Sequence, residues 1–530
     1  PILRKSTSPQ RYRIAGRSAI PCLLYPPTQP TGREPMRFYS ALGLLTAAIL
    51  SVELQPCVGA IGVAVTNPAE SAQRTVVRVS VPVPQRVLAD LPSLVQVEGN
   101  QGPAAVQAHL ISRHGDGSVR RMMLSVPVDL AAGQTKHLEV HNNTESDKPL
   151  PSMLRKGEPT RIETDAFTVL VDGARVELRD GNAQVAAVIE PFGPNPGADK
   201  PSVTLLDEGP YFVWLRCRED GSDWSREIDV QVSRFGEVTL THRIQVHAKG
   251  DHWTPDFGWM LTAPGAQGTH LPNGPLTMLG RNPDSRFADA ANAGLVSQLA
   301  LRDGTTIAVA NPLALRQNRG AWQATEADGL VRLRSNRNEP IDDIETEGLM
   351  IQEGAWRFSE LTLAPVTHTE LAARLDEPVF GHADWPLYDA VYGTGAPLEV
   401  RHPVLQQCVE KMIFALGDMQ MKGDDLGSMP WSWSPGRTRA DYTSAVRLNH
   451  SLYIWEDWFR SGDRRFRQIA HDWCRNYHDL GMYWARTRSS TAPAGAEISG
   501  AIGRGTGRGP SIRVSPIRPS TSTRAGAIST

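Results

Sequence analysis

The stretch Thr75-Val76-Val77-Arg78-Val79-Ser80-Val81-Pro82-Val83 sets Val77, Val79, Val81 and Val83 at every second position. Successive side chains of an extended chain point to opposite faces, so this spacing predicts a strand with one valine-covered face turned to a core. Leu94–Glu98, Ala105–Ser112, Val119–Val126 and Lys136–Val140 read as further short strands. His114-Gly115-Asp116-Gly117-Ser118 joins two of them, and Asp-Gly predicts only a tight turn, because glycine accepts a positive φ. Even spacing of short strands predicts a small barrel or sandwich.

Toward the C-terminus the pattern stays β from Arg161 to about Leu363. Phe167–Val171, Arg175–Arg179, Tyr211–Cys217, Ile228–Arg234 and Val238–Val246 are rich in β-branched and aromatic residues. Strands this numerous, separated by Gly, Asp and Asn turns, predict a larger β-sandwich. Residues 364–400 read as a crossover, with Pro365, Pro378, Pro386 and Pro397. The period then changes to about 3.6. Ala445, Leu448, Leu452, Trp455 and Phe459 form one helical face, and Phe466, Ile469, Ala470, Trp473 and Tyr477 form another. Between them Gly462 can close the first helix and Asp463 can cap the second. Val404, Leu405, Cys408, Met412 and Ala415 predict an earlier helix with that stripe inward. Paired helices with short links predict an α/α hairpin array.

The chain has 530 residues, room for three or four domains at about 150 residues each. Hydrophobic residues are 40% and charged residues 21%, which excludes a wholly disordered chain and a polytopic membrane protein. Lys+Arg 55 against Asp+Glu 57 gives a net charge of -2, so no global basic field recruits nucleic acid. Cys22, Cys57, Cys217, Cys408 and Cys474 show no CxxC and no metal-ligand spacing, so neither a disulfide scaffold nor a structural zinc site is expected.

The two ends differ from the middle. Residues 1–35 are basic and proline-rich without a hydrophobic period, and are expected to be disordered upstream sequence preceding a start at Met36. Met36-Arg37, the uncharged run Phe38–Val52 and the small residues Val58-Gly59-Ala60 have the three-part layout of a secretory signal peptide over 36–60. Export to the periplasm or the medium is therefore expected, with no stable membrane insertion after cleavage. Beyond Ala485 there is no Asp, Lys, Leu, Phe, Tyr or Trp. Such a segment cannot bury enough apolar surface to offset its ordering entropy, so 486–530 is expected to be a disordered or frame-shifted tail that truncates the helical domain.

Val81-Pro82-Val83-Pro84 followed by Leu94-Val95-Gln96-Val97 resembles the opening of the PcRGLX/YetA-like family, as do Arg113–Arg120 and Leu130-Ala131-Ala132-Gly133-Gln134. The family's type member is an exo-rhamnogalacturonan lyase of polysaccharide lyase family 26. Asp207-Glu208-Gly209-Pro210 ahead of a strand resembles its sandwich domain, and Asn449-His450 through Gly462-Asp463 resembles a toroid helix pair. The resemblance implies a multidomain β + α chain: an N-terminal RIFT-type β-barrel over 68–155, a central β-sandwich over 160–370 and a partial C-terminal α/α toroid over 385–485. It further implies β-elimination on a uronic-acid-containing pectic polysaccharide.

That chemistry needs a base, a group on the carboxylate and an acid for the leaving oxygen. Turning Leu448 and Leu452 inward gathers His450, Tyr453 and Asp457 on another helical face, with Asn449, Tyr453 and Glu456 as a neighbouring stripe. His450, Tyr453 and Arg447 are the catalytic candidates, against the plainer reading of a solvated face and a surface salt bridge. Trp431, Trp433, Asn449, Asp424 and Asp425 are the substrate-binding candidates, since tryptophan faces stack on sugar rings and carboxylates accept hydroxyl hydrogen bonds. Two aspartates do not make a calcium site, so no cofactor or metal is expected, with calcium the open alternative. Asp207 and Glu208 are adjacent on a predicted strand and should point to opposite faces, which argues against shared acid–base work. GxSxG, HExxH, P-loop and dinucleotide fingerprints do not occur. The sequence thus predicts a secreted carbohydrate-active lyase, with a glycoside hydrolase on the same scaffold or a non-catalytic carbohydrate-binding protein as alternatives.

Overall fold

A computed structural model of the chain describes residues 61–97, 103–141, 151–194, 196–197, 201–248, 251–253, 256–272, 286–287, 295–312, 320–337, 350–352, 354, 356–392, 403–422, 450–461, 463–476, 482–484 and 500–502. All of them fall in the compact unit Val58–Thr530.

Among the described residues seven strands come first: β1 (Ile61–Thr66), β2 (Gln73–Pro82), β3 (Leu94–Val97), β4 (Pro103–Ala105), β5 (Gln107–Arg113), β6 (Val119–Leu130) and β7 (Thr135–Val140). The alternation in β2 is realised: Val77, Val79 and Val81 are buried with Val83, against Met122, Leu124, Val126 and Val128 of β6 and Ile61, Val63 and Val65 of β1. Each such valine contributes roughly 1.5–3 kcal/mol by leaving water. The tight turn between β5 and β6 has Gly117 at φ 88, and Asp116 Oδ1 accepts from the Ser118 amide at 3.0 Å.

Eighteen further strands follow: β8 (Leu154–Arg155), β9 (Thr160–Glu163), β10 (Thr168–Asp172), β11 (Arg175–Arg179), β12 (Val185–Phe192), β13 (Ser202–Asp207), β14 (Phe212–Asp220), β15 (Trp224–Ser233), β16 (Val238–Val246), β17 (Asp251–Trp253), β18 (Phe257–Pro264), β19 (Gln267–Thr269), β20 (Val296–Ala300), β21 (Thr306–Ala310), β22 (Gly320–Ala327), β23 (Leu330–Arg337), β24 (Met350–Gln352) and β25 (Trp356–Ala364). They build two eight-stranded sheets, ordered β22-β23-β18-β12-β11-β10-β9-β8 and β13-β14-β15-β16-β25-β21-β20-β19, while β17 pairs with β24. Val169, Val171, Ile189, Trp259 and Leu261 from the first sheet share one core with Val213, Leu215, Val230, Leu240 and Leu361 from the second. The two sheets therefore pack face to face.

Helix α1 (His368–Asp376) starts with a capping box between Thr367 and Glu370. It lays Leu371 and Ala372 on Val296, Ala308 and Ala310. Strand β26 (Phe380–Ala383) then returns to the N-terminal module, giving the sheet β26-β1-β7-β3-β4 beside the three-stranded β2-β6-β5. Helix α2 (Trp385–Tyr392) adds Leu387 to that same core. The span read as a crossover holds, among the described residues, two helices and a strand.

Helices α3 (Pro403–Lys422), α4 (His450–Ser461) and α5 (Arg464–Asn476) gather Ile413, Ile454, Trp458, Phe466, Ile469 and Ala470 in a separate core. The change of period is therefore real, but one face is reversed. The α3 stripe expected inside is outside: Val404 is 76%, Leu405 62% and Met412 56% exposed. Helix α3 carries two apolar stripes, and packing selects the one with Phe414, whose ring stacks on Phe466 at 4.7 Å. On α4 the buried pair is Ile454 and Trp458, with Trp455 only half-buried. A last pair, β27 (Met482–Trp484) with β28 (Gly500–Ile502), closes the described chain. The protein is a multi-sheet, mainly antiparallel β protein with a few helices. No helix among the described residues is long and apolar enough to cross a membrane.

Candidate functional site at the seam of two β cores

The Asp207-Glu208-Gly209-Pro210 stretch joins β13 to β14 and meets the outer face of the N-terminal strands. Asp207 is buried and Glu208 exposed, so the two carboxylates do diverge. A register shift between Leu205 and Asp207 sets Asp207 opposite Trp214. Gly209 is required by close approach: a Cβ there would lie 2.3 Å from Cδ of Gln107.

Gln107 uses its whole hydrogen-bonding capacity on this joint. Its Nε2 donates to Asp207 Oδ1 and to the Phe212 carbonyl, both at 2.9 Å. Its Oε1 accepts from the Tyr211 and Phe212 amides at 3.1 and 2.9 Å. From β2, Arg78 Nη2 donates to Asp207 Oδ2 at 2.9 Å, and its guanidinium lies 4.2 Å from the Phe212 ring centre and 5.3 Å from that of Trp214. Burial lowers the Arg78 pKa, and the Asp207 charge opposes that shift. From β5, His109 Nδ1 approaches Asp207 Oδ1 at 3.6 Å. The carboxylate is dry while the imidazole is 42% exposed, which leaves His109 open to a ligand. Two buried donors here, Arg78 Nε and Trp214 Nε1, have no acceptor among the described residues.

Beyond Trp214 the same face of the sheet carries a charge ladder. Arg216 donates through Nε and Nη2 to the two oxygens of Asp229 at 2.7 and 3.0 Å, and Arg243 Nη1 reaches both Glu227 and Asp229. Burial opposes ionisation of Asp229, but the Arg216 and Arg243 guanidiniums outweigh it and hold its carboxyl below the usual range. Glu227 and Asp229 lie two residues apart on one face, but both are already engaged by arginine guanidiniums. The ladder is a structural tie. Ser225, which is fully buried, is structural as well. Its hydroxyl donates to Asp220 Oδ1 at 2.7 Å, so His247 Nε2 must donate to it. That is the reverse of what an activated nucleophile needs.

Of the residues singled out from sequence, His450 opens α4 and Tyr453 lies one turn on, but both side chains fall outside the described residues. Arg447, Asn449, Trp431, Trp433, Asp424 and Asp425 also fall outside them. Asp457, expected on the His450 face, accepts a hydrogen bond from Gln406 of α3 at 2.9 Å. That part of the stripe faces a neighbouring helix. Among the described residues no three His, Cys, Asp or Glu side chains come together to hold a metal. Sequence reasoning missed Arg78, Gln107 and His109. Their only signal was polarity on the outer face of strands whose inner face is aliphatic.

No protein-family model matches the chain, and no curated protein does. Among solved structures, an alpha-mannosidase from Enterococcus faecalis V583 is similar over 62% of this chain and 46% of its own, with 10% identity and a TM-score of 0.38. A protein in the glycosyl hydrolase family 38 from Enterococcus faecalis is similar over 62% of this chain and 47% of its own, with 9% identity and a TM-score of 0.37. This chain spans just under half the length of either. These findings correct the expected membership of the exo-rhamnogalacturonan lyase family. No family model supports it, so the lyase activity and the pectic substrate that it implied are withdrawn with it.

Proposed function

We propose that the chain is a carbohydrate-active protein of the glycoside hydrolase kind, exported from the cell, with the seam around Asp207 as its saccharide site. One observation carries this reading: a buried carboxylate from one β core faces a half-exposed imidazole from the other. Seams between packed modules are where small-molecule sites concentrate, and this one mixes aromatic rings with convergent polar groups, as sugar recognition requires. With Nδ1 of His109 turned to Asp207, Nε2 is the ring nitrogen left to exchange a proton with a glycosidic oxygen or a water. The 3.6 Å separation is longer than a hydrogen bond and is expected to tighten when a ligand excludes water. In this reading the smaller sheets form a small barrel and the helices part of an α/α array.

The test is incubation of the full chain with an oligosaccharide panel that includes 4-nitrophenyl α-mannoside, reading reducing ends, nitrophenol release and binding. His109→Gln should lower turnover by roughly 100-fold or more with an unchanged melting temperature. Binding without cleavage, insensitive to His109→Gln, would leave a non-catalytic carbohydrate-binding protein. A folded chain that neither binds nor cleaves any saccharide would end the reading.

A further inference from the structure

Strand β13 lies at the end of its eight-stranded sheet, with β14 as its single partner among the described residues. An end strand offers a row of unpaired backbone groups, and proteins blunt such ends with charge, proline, shortness or a bulge. The other sandwich ends fit that rule. β8 has 2 residues, β19 has 3, and β22 carries an exposed Glu326. Most of β13 does not fit it. Pro201 precedes it, and the register shift before Asp207 falls at its far end, while Ser202-Val203-Thr204-Leu205 between them carries neither charge nor proline. Val203 is 47% and Leu205 36% exposed. Their register partners Cys217 and Leu215 point into the sandwich core, so both residues lie on the inward face at a flank that the opposite sheet leaves uncovered.

We propose that this edge pairs with the same edge of a second copy of the chain, antiparallel about a two-fold axis through Thr204. The segment is self-complementary in that arrangement. Val203 lies opposite Leu205 of the second copy and the reverse, while Thr204 meets its own equivalent, so like charges are nowhere opposed. Residues opposite each other in an antiparallel pair share a sheet face, so the four aliphatic side chains cover one another. A two-fold axis of this kind makes a closed dimer with a self-complementary surface. Pairing of one short strand buries less than the about 1,600 Å² of a standard interface, so the dimer is weak and concentration-dependent. The proposal is independent of the sugar reading, although β13 ends at Asp207.

Sedimentation equilibrium of the full chain through the micromolar range should show a reversible monomer–dimer equilibrium. Val203→Lys with Leu205→Lys should abolish it without shifting the melting temperature. Register is tested by Thr204→Cys in a chain with Cys22, Cys57, Cys408 and Cys474 changed to Ser, using oxidised glutathione as the oxidant. Directly opposed residues have Cα atoms about 4.5–5.5 Å apart, within disulfide reach, so a covalent dimer should form. Ser202→Cys places the two thiols four strand positions apart, about 13 Å, and should not cross-link. A chain monomeric throughout, a dimer that survives the double lysine variant, or equal cross-linking of both cysteine variants would each overturn the proposal.

Discussion

His242 is fully buried between Phe257 and Trp259, with ring centres at 5.2 and 5.7 Å. Its Nδ1 lies 3.2 Å from the Gly258 carbonyl, which can only accept, so the proton sits on Nδ1 and Nε2 is left without a partner among the described residues. Burial pushes the imidazole from 6.5 down to about 3. The unfolded chain therefore binds a proton at a higher pH than the folded one. Stability is full above about pH 6.5 and is lost as pH falls through the window toward 3. Between pH 7 and pH 5 this single group should cost about 2 kcal/mol. His242→Phe keeps an aromatic ring and removes the proton, so its melting temperature should fall less than that of the parent over the same interval. Equal slopes would show that the buried imidazole is not the linked group. None of this was legible in sequence, because His242 occupies a core-facing position of β16 where alternation predicts an aliphatic residue.

At the scale of single elements, legibility followed the number of faces an element buries. β2 and β11 alternate, and their aliphatic residues lie where period two put them, whereas β16 is buried on both faces. Helix α3 has two apolar stripes, and the sequence cannot say which one meets α4 and α5 until the aromatic contact between Phe414 and Phe466 is known. The seam was half legible for the same reason. Asp207 stood out beside Gly209, whereas Gln107 and His109 come from a strand far away in sequence, and long-range pairing leaves no local trace. Capping chemistry is local and was readable. Asp463 Oδ1 accepts from the Arg465 amide at 2.9 Å at the start of α5. Burial opposes its ionisation, but hydrogen bonds from Arg465 prevail and keep the carboxyl low. Asp463→Ala should destabilise the helical segment by about 1 kcal/mol, read as a shift in denaturant midpoint with an unchanged slope. No shift would mean that α5 is held by its apolar face alone.

For the whole molecule, the chain path matters more than any one contact. The N-terminal core is completed by β26 and α2, which come after the sandwich, so the smaller β module cannot close until the larger one has been traversed. Gly381 is a tight backbone approach in that return. It pairs with Val65 of β1, and a Cβ on it would lie 2.2 Å from Cγ2 of Val79. Gly381→Val must push β26 away from β2, at a cost of about 1–3 kcal/mol for overpacking. Hydrogen exchange should then show lost protection at Val63–Thr66, where β1 pairs with β26, while the β14–β16 ladders keep theirs. The seam decides how far the effect travels. Asp207, Arg78 and Gln107 tie β2 and β5 to β13 and β14, so a strong joint would spread the loss into Phe212 and Trp214 and a weak one would confine it. Unchanged protection at β1 would show that the returning strand contributes nothing to closure, and the N-terminal sheets would then have to stand without it.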